Sequence, residues 1–146
     1  MGRLPAEVHC SCALLLIAMS LVLPPAIKWV LRTFQTPRAE AAAHQLVGYL
    51  QEARRRAVVE KVRFRVAFTP KGSAFTLQRQ DQPADRYRDV AKYRLSPGAT
   101  FTDVPSALEF NPAGTVRFPA QLRMRYKRVT RIIEVTAKGS MRVRAE

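Results

Sequence analysis

The chain has 146 residues, and its 25 Lys+Arg against 11 Asp+Glu give a formal charge of +14. A composition 47% hydrophobic and 25% charged at this length fits one ordinary domain and excludes a wholly disordered chain, a collagen and a multi-span membrane protein. Two cysteines are too few for a disulfide framework, and two histidines leave little material for metal or acid–base chemistry, so the arithmetic favours a module that binds or assembles over an enzyme.

Residues 1–7 lead into an apolar run. From Val8 to Ile27 the chain reads VHCSCALLLIAMSLVLPPAI, twenty residues without a formal charge. That is about the ~20 residues a helix needs to cross the hydrocarbon layer. Pro24, Pro25 and Ala26 make a poor signal-peptidase site, and Cys10 and Cys12 precede the densest part of the run instead of following it as in a lipoprotein. The reading is a retained transmembrane helix with its juxtamembrane segment over 8–35, with Trp29 at the interface and Lys28 and Arg32 snorkelling. Charge bias argues about its orientation. Arg3 and the amino terminus, offset by Glu7, stand before the span, while Lys28, Arg32 and Arg38 follow it, which by the positive-inside rule places the C-terminal side in the cytoplasm. His9, Cys10 and Cys12 do not make a metal site, because positions two apart on a helix point to nearly opposite faces.

An amphipathic helix is predicted over 36–61. Thr36 is placed to cap it and Pro37 suits its first turn. Ala39, Ala42, Ala43, Leu46, Val47, Leu50, Ala53, Ala57 and Val58 recur at three- and four-residue steps and form one apolar stripe, with Arg38, Glu40, Gln45, Glu52, Arg55 and Glu60 on the other face. The many alanines permit close approach of whatever packs there. His44 reads as a helix-surface residue.

Beyond Lys61 the period changes to two, and residues 62–146 read as an antiparallel β-sheet domain. Val62, Phe64, Val66 and Phe68 alternate with Arg63 and Arg65, a half-buried strand. Thr69-Pro70-Lys71-Gly72-Ser73 is a turn before a strand beginning at Phe75 and Leu77. Residues 80–89 read as a polar loop, whose Asp81, Asp85 and Asp89 lack the spacing of a calcium loop. Short strands are expected at 93–95, 107–110, 115–118, 122–126, 131–136 and 141–144, with turns at Asn111-Pro112-Ala113-Gly114 and Ala137-Lys138-Gly139-Ser140. The fold class is therefore α+β: a transmembrane helix continuing into an amphipathic helix that packs on an antiparallel sheet.

Positive charge gathers at the C-terminal end. From Arg117 to Glu146 there are nine basic residues against two acidic ones. Alternation places Arg123 and Arg125 on one face of their strand, and Arg142 and Arg144 share a face of theirs, so a continuous basic stripe is expected, suited to polyanions. No catalytic motif, phosphate loop or zinc-binding helix is present, and no cofactor or metal is expected.

The order of parts resembles type IV pilins and type II secretion pseudopilins. ALEFNPAGTVRF followed by RIIEVTAKGSMRV is similar to the ending of minor pseudopilins of the GspH/FimT class, and AAAHQLVGYLQEARRRAVVEKVRFRVAF to their helix and first strand, so that residues 13–144 are covered. The resemblance implies cleavage by a prepilin peptidase after Gly2, with Arg3 as the methylated first mature residue, Glu7 as the fifth, and Pro24 as the proline near the middle of the membrane helix. Arg3 stands where phenylalanine is usual, and Pro5 interrupts the segment. By the same resemblance Glu7 pairs with a neighbouring subunit's amino terminus and sets axial register, and the partners are other pilins, the peptidase and the membrane. The implied location is the bacterial inner membrane with the C-terminal domain periplasmic, and then the pilus or pseudopilus. Some pilus members of the class bind DNA through arginines after the last glycine turn, which points here to Arg142, with Lys138 and Arg144, although Ser140 replaces the first arginine of that pattern. Three readings stand: a filament subunit, a DNA-binding minor pilin of the same fold, and a single-span protein with a cytoplasmic basic domain.

Overall fold

A computed structural model describes residues 35–81 and 86–146. The apolar run at 8–27 lies outside them, as do Gly2, Arg3, Glu7 and Pro24. Among the described residues no helix is long and apolar enough to cross a membrane.

Helix α1 is described over 35–60, so Thr36 lies inside it and does not cap it. Its stripe of Ala39, Ala42, Ala43, Leu46, Leu50, Ala53 and Ala57 is buried almost completely. Val58, expected in that stripe, is instead 46% exposed, because it sits at the margin of the helix, over the turn that contains Gly114. The helix stops at Lys61, whose φ of 55° is the left-handed conformation common just past helix ends. Residues 61–63 turn the chain, which is why the first strand begins at Phe64 and not at Val62.

Eight strands follow: β1 (Phe64–Phe68), β2 (Ala74–Asp81), β3 (Arg86–Arg94), β4 (Ala99–Asp103), β5 (Ala107–Phe110), β6 (Ala120–Tyr126), β7 (Val129–Val135) and β8 (Met141–Ala145). They form two four-stranded sheets, ordered β3-β2-β1-β5 and β4-β6-β7-β8, where the sequence suggested one. The chain first changes sheet at Ser96-Pro97-Gly98, returns for β5 and crosses again before β6. At the first crossing Ala99 N–H closes a turn on the Ser96 carbonyl, and Gly98 adopts φ 89°, a conformation that favours glycine, close against the Tyr126 ring. The segment 80–89, read as a loop, is largely the β2–β3 pair: Gln80 faces Tyr87 and Gln78 faces Asp89 in register. Its polar side chains are those of an edge strand open to water, which carries no apolar alternation to reveal it. The stretch 115–118, read as a strand, makes one bridge, between Phe110 and Val116, and leaves Phe118 exposed.

One core joins the three layers. Tyr49 of α1 packs on Phe75 and Tyr93 of the first sheet at ring-centroid distances of 5.4 and 4.3 Å. Phe101 of the second sheet meets Phe68 and Phe75 of the first at 5.3 and 6.2 Å. The Phe101 N–H also donates to the Gly72 carbonyl across the two sheets.

Candidate functional site

The outward face of the second sheet follows from its register. With Leu122, Met124 and Tyr126 buried, β6 turns Arg123 and Arg125 outward. On β7, burial of Ile133 and Val135 turns out Thr130, Ile132 and Glu134. Arg123, Ile132 and Arg144 lie in one row across β6, β7 and β8, and Gln121, Glu134 and Arg142 in the next, with Arg125 opposite Thr130. The four arginines expected on one face are therefore on one face.

The face is less uniformly positive than the sequence suggested. Glu134 sits among the cations, with Arg144 Nε 3.2 Å from its carboxylate, and Arg123 Nη1 lies 3.7 Å from Glu146. Asp103 of β4 stands opposite Arg123. Arg125 and Arg142 are exposed and make no ion pair among the described residues. Glu134 was legible in principle: it alternates with Ile133 and Val135, and so shares the face of the arginines.

Arg131, counted among the basic residues of this region, belongs elsewhere. It alternates inward with Ile133 and Val135 and is nearly closed to solvent. Its Nε donates to Glu40 of α1 at 3.0 Å and its Nη1 to the Thr130 carbonyl at 3.1 Å. The Arg131 hydrogen bond holds the Glu40 carboxyl below the usual carboxylate range, against the opposing effect of burial. His44, exposed on the helix, adds a weaker contact to Glu40 at 3.4 Å.

Lys138 lies exposed in the β7–β8 turn, and the turn is anchored by a residue that sequence reasoning passed over. Arg54 Nε donates to the Gly114 carbonyl at 2.8 Å, and its Nη2 to the Lys138 carbonyl at 3.4 Å. Val116 N–H donates to the Ala137 carbonyl at 2.9 Å, so the β5–β6 and β7–β8 connections meet under one guanidinium. Gly139 stands at φ 77° in this junction, and a methyl group there would overlap the Gly114 carbonyl oxygen. The run Arg54-Arg55-Arg56 hid the distinction among its members: Arg55 and Arg56 both turn to Glu52, at 2.8 and 2.9 Å.

The outward face of the first sheet is self-satisfied by comparison. Arg65 donates to Gln78 and Gln78 to Asp89, each at 2.8 Å, while Arg65 stacks over the Tyr87 ring at 4.0 Å and Arg117 meets Glu109 at 3.3 Å. Among the described residues no three His, Cys, Asp or Glu side chains group as metal ligands.

No protein-family model matches the chain, and no curated protein matches it. Solved structures do. The minor pseudopilin EpsH of the Vibrio cholerae type 2 secretion system superposes with a TM-score of 0.61 at 15% identity, covering 74% of this chain and 97% of its own. The Pseudomonas aeruginosa type IV minor pilin FimU superposes with a TM-score of 0.59 at 16% identity, covering 76% of this chain and 90% of its own. A helix packed on antiparallel sheets in this order is the fold of those minor pilin-like proteins.

Proposed function

We propose that the chain is a minor structural subunit of a type II secretion pseudopilus or a type IV pilus, held in the inner membrane by residues 8–27 before assembly. The observation that carries this is the shared fold, a helix packed on antiparallel sheets, here following an uncharged run of about the length a membrane crossing needs. The role is one of assembly, not catalysis. In this reading the periplasmic placement of the domain overrides the charge bias around the span, which favours the cytoplasmic alternative. The test is the intact mass of the membrane-extracted chain, with and without an active prepilin peptidase. Loss of Met1-Gly2 and gain of a methyl group at Arg3, only with the active enzyme, is the expected result. An unprocessed chain, with its domain reached only by cytoplasmic labelling reagents, would favour the third reading.

A second reading rests on the four outward arginines: the face of β6 and β8 binds DNA phosphates, with Lys138 at its edge. Arg125 and Arg142, free of carboxylate partners among the described residues, carry most of the contact in this reading. Arg144 shares its charge with Glu134 and contributes less. Changing Arg125 or Arg142 to Ala is expected to weaken duplex binding and lower the salt slope by about one each. Fluorescence anisotropy at several salt concentrations measures both quantities, and a chain that shows no salt-dependent binding ends this reading.

A further inference from the structure

Two contacts fix the direction of β7 along α1. Near the beginning of the strand Arg131 reaches Glu40, and just past its end the Lys138 carbonyl accepts from Arg54. The separation of Glu40 from Arg54 is about 21 Å of helix, and Arg131 lies about 13 Å of strand before Val135, with Lys138 in the turn beyond it. Strand and helix therefore run side by side in the same direction. The β6–β7 turn, Lys127-Arg128, lies about 10 Å further back from Arg131, toward the end of α1 at which Glu40 and Arg38 stand.

Cations collect at that end. Lys127 and Arg128 are exposed at the turn, Arg125 is the last outward residue of β6, and Arg38 is exposed on the first described turns of α1. None of them makes an ion pair among the described residues. Of the carboxylates nearby, Glu40 is engaged by Arg131 and Glu146 by Arg123, while Asp103 stands a row further along, opposite Arg123. Lys127 also holds φ 54°, at a two-residue hairpin turn where glycine is the preferred residue, so the chain keeps a lysine at the tip against the backbone's preference.

The sequence limits how far this end can stray from a membrane. The apolar run closes at Ile27, and only residues 28–34 separate it from Gln35. Fully extended, those residues span at most about 25 Å.

We propose that this end of the domain docks on the membrane that anchors the chain, with Lys127, Arg128, Arg125 and Arg38 meeting the phosphates of anionic lipid headgroups. The inference rests on the anchoring by residues 8–27 proposed above. The attraction of basic residues to an anionic leaflet decays within a Debye length of about 8–10 Å, so a short tether and a basic tip at the tethered end act together. Passage of the subunit out of the membrane then requires release of this contact.

The test is hydrogen exchange of the full chain reconstituted in neutral phosphatidylcholine vesicles and in vesicles that also contain phosphatidylglycerol. The amides of residues 127–129 are expected to exchange several-fold more slowly in the anionic vesicles, and high salt is expected to remove the difference. Lys127→Gln and Arg128→Gln should each weaken docking about fivefold. Arg38→Gln, away from the turn, should act in the same direction without touching hairpin geometry. A chain that incorporates but exchanges equally in both lipids overturns the docking while leaving the anchor intact. Slowing that survives the double substitution also overturns it. A chain that remains in the aqueous fraction overturns the anchoring and the docking together. Slowing produced by duplex DNA in neutral vesicles, and not by phosphatidylglycerol, assigns these cations to nucleic acid and overturns the proposal.

Discussion

Arg131 donates to Glu40 from a site almost closed to water, whereas Glu40 keeps 46% of its side chain in solvent. The two ends of this pair therefore respond differently to removal. Glu40→Ala strands a buried guanidinium with only the Thr130 carbonyl and should cost about 2 kcal/mol. Arg131→Met fills the same space without a charge and leaves Glu40 free to be hydrated, so the change should stay within about 1 kcal/mol. Urea unfolding of both variants tests this asymmetry, and equal costs would contradict the burial argument. Lys127 gives a second case. Its positive φ favours glycine, so Lys127→Gly should stabilise the domain by about 0.5–1 kcal/mol in the same assay, even as it removes a surface cation. Alternation shows that Arg131 points inward. That the inward position meets a carboxylate from α1, more than 90 residues earlier in the chain, is decided only when strand and helix pack.

At the scale of elements, the Arg54 junction ties α1 to two connections that are separate in sequence. Gly139→Ala meets both a strained φ and the Gly114 carbonyl, and should cost at least about 2 kcal/mol. Arg54→Ala should cost about 1–2 kcal/mol through the part-buried carbonyl it abandons. Arg54→Lys should not restore the loss, because a single ammonium cannot serve Gly114 and Lys138 as the guanidinium fork does. Thermal melts give the costs, and faster hydrogen exchange confined to 111–116 and 136–141 would locate them. The elements themselves were unevenly legible. The alanine stripe of α1 and the alternation of β1, β6 and β7 are strong periodic patterns, and each of these elements forms where its pattern lies. Of β3 only the end was read as a strand, at 93–95; the rest escaped because it is an edge, where Arg86, Arg88, Asp89 and Lys92 are exposed and the inward Tyr87, Ala91 and Tyr93 are only half-buried, too weak a period to show. The stretch 115–118 has the opposite fault, apolar residues at strand spacing with no strand long enough beside it to complete a ladder.

For the whole molecule, pH acts through an excess of cations. Hydrogen bonds from Arg55 and then Arg56 hold the Glu52 carboxyl at about 2, against an ordinary value of 4.5, and Glu40 is lowered as well. A depressed carboxylate binds protons more weakly in the folded state than in the unfolded one. Its contribution is therefore complete above the ordinary value and is lost as pH falls from about 4.5 toward 2. Solvent screens the exposed Glu52 pairs, so their share is modest. The net charge of +14 also grows as acidic groups protonate, and self-repulsion adds to the loss. Melting temperature should be flat near neutrality and fall below about pH 4.5, and Glu52→Gln should shallow the fall. An unchanged profile in that variant would mean the Arg55 and Arg56 pairs contribute nothing measurable.

Local period and composition are enough to read a helix with one apolar face, strands that alternate, turns at glycine and proline, and a chain with far more cations than anions. Those features depend on neighbours within a few residues, so they can be read without knowing what packs on them. Long-range packing set everything else. It sorted the strands into two sheets out of chain order, with β4 beside β6 and β5 back beside β1, since that pairing depends on long-range contacts such as Phe101 on Phe68 and Phe75. It sorted the arginines into a buried anchor at Arg131, a junction at Arg54, pairs at Arg123 and Arg144, and, at Arg125 and Arg142, cations that make no ion pair among the described residues. A guanidinium's role depends on the carboxylate or carbonyl that comes within about 3 Å of it, and only folding brings that partner there.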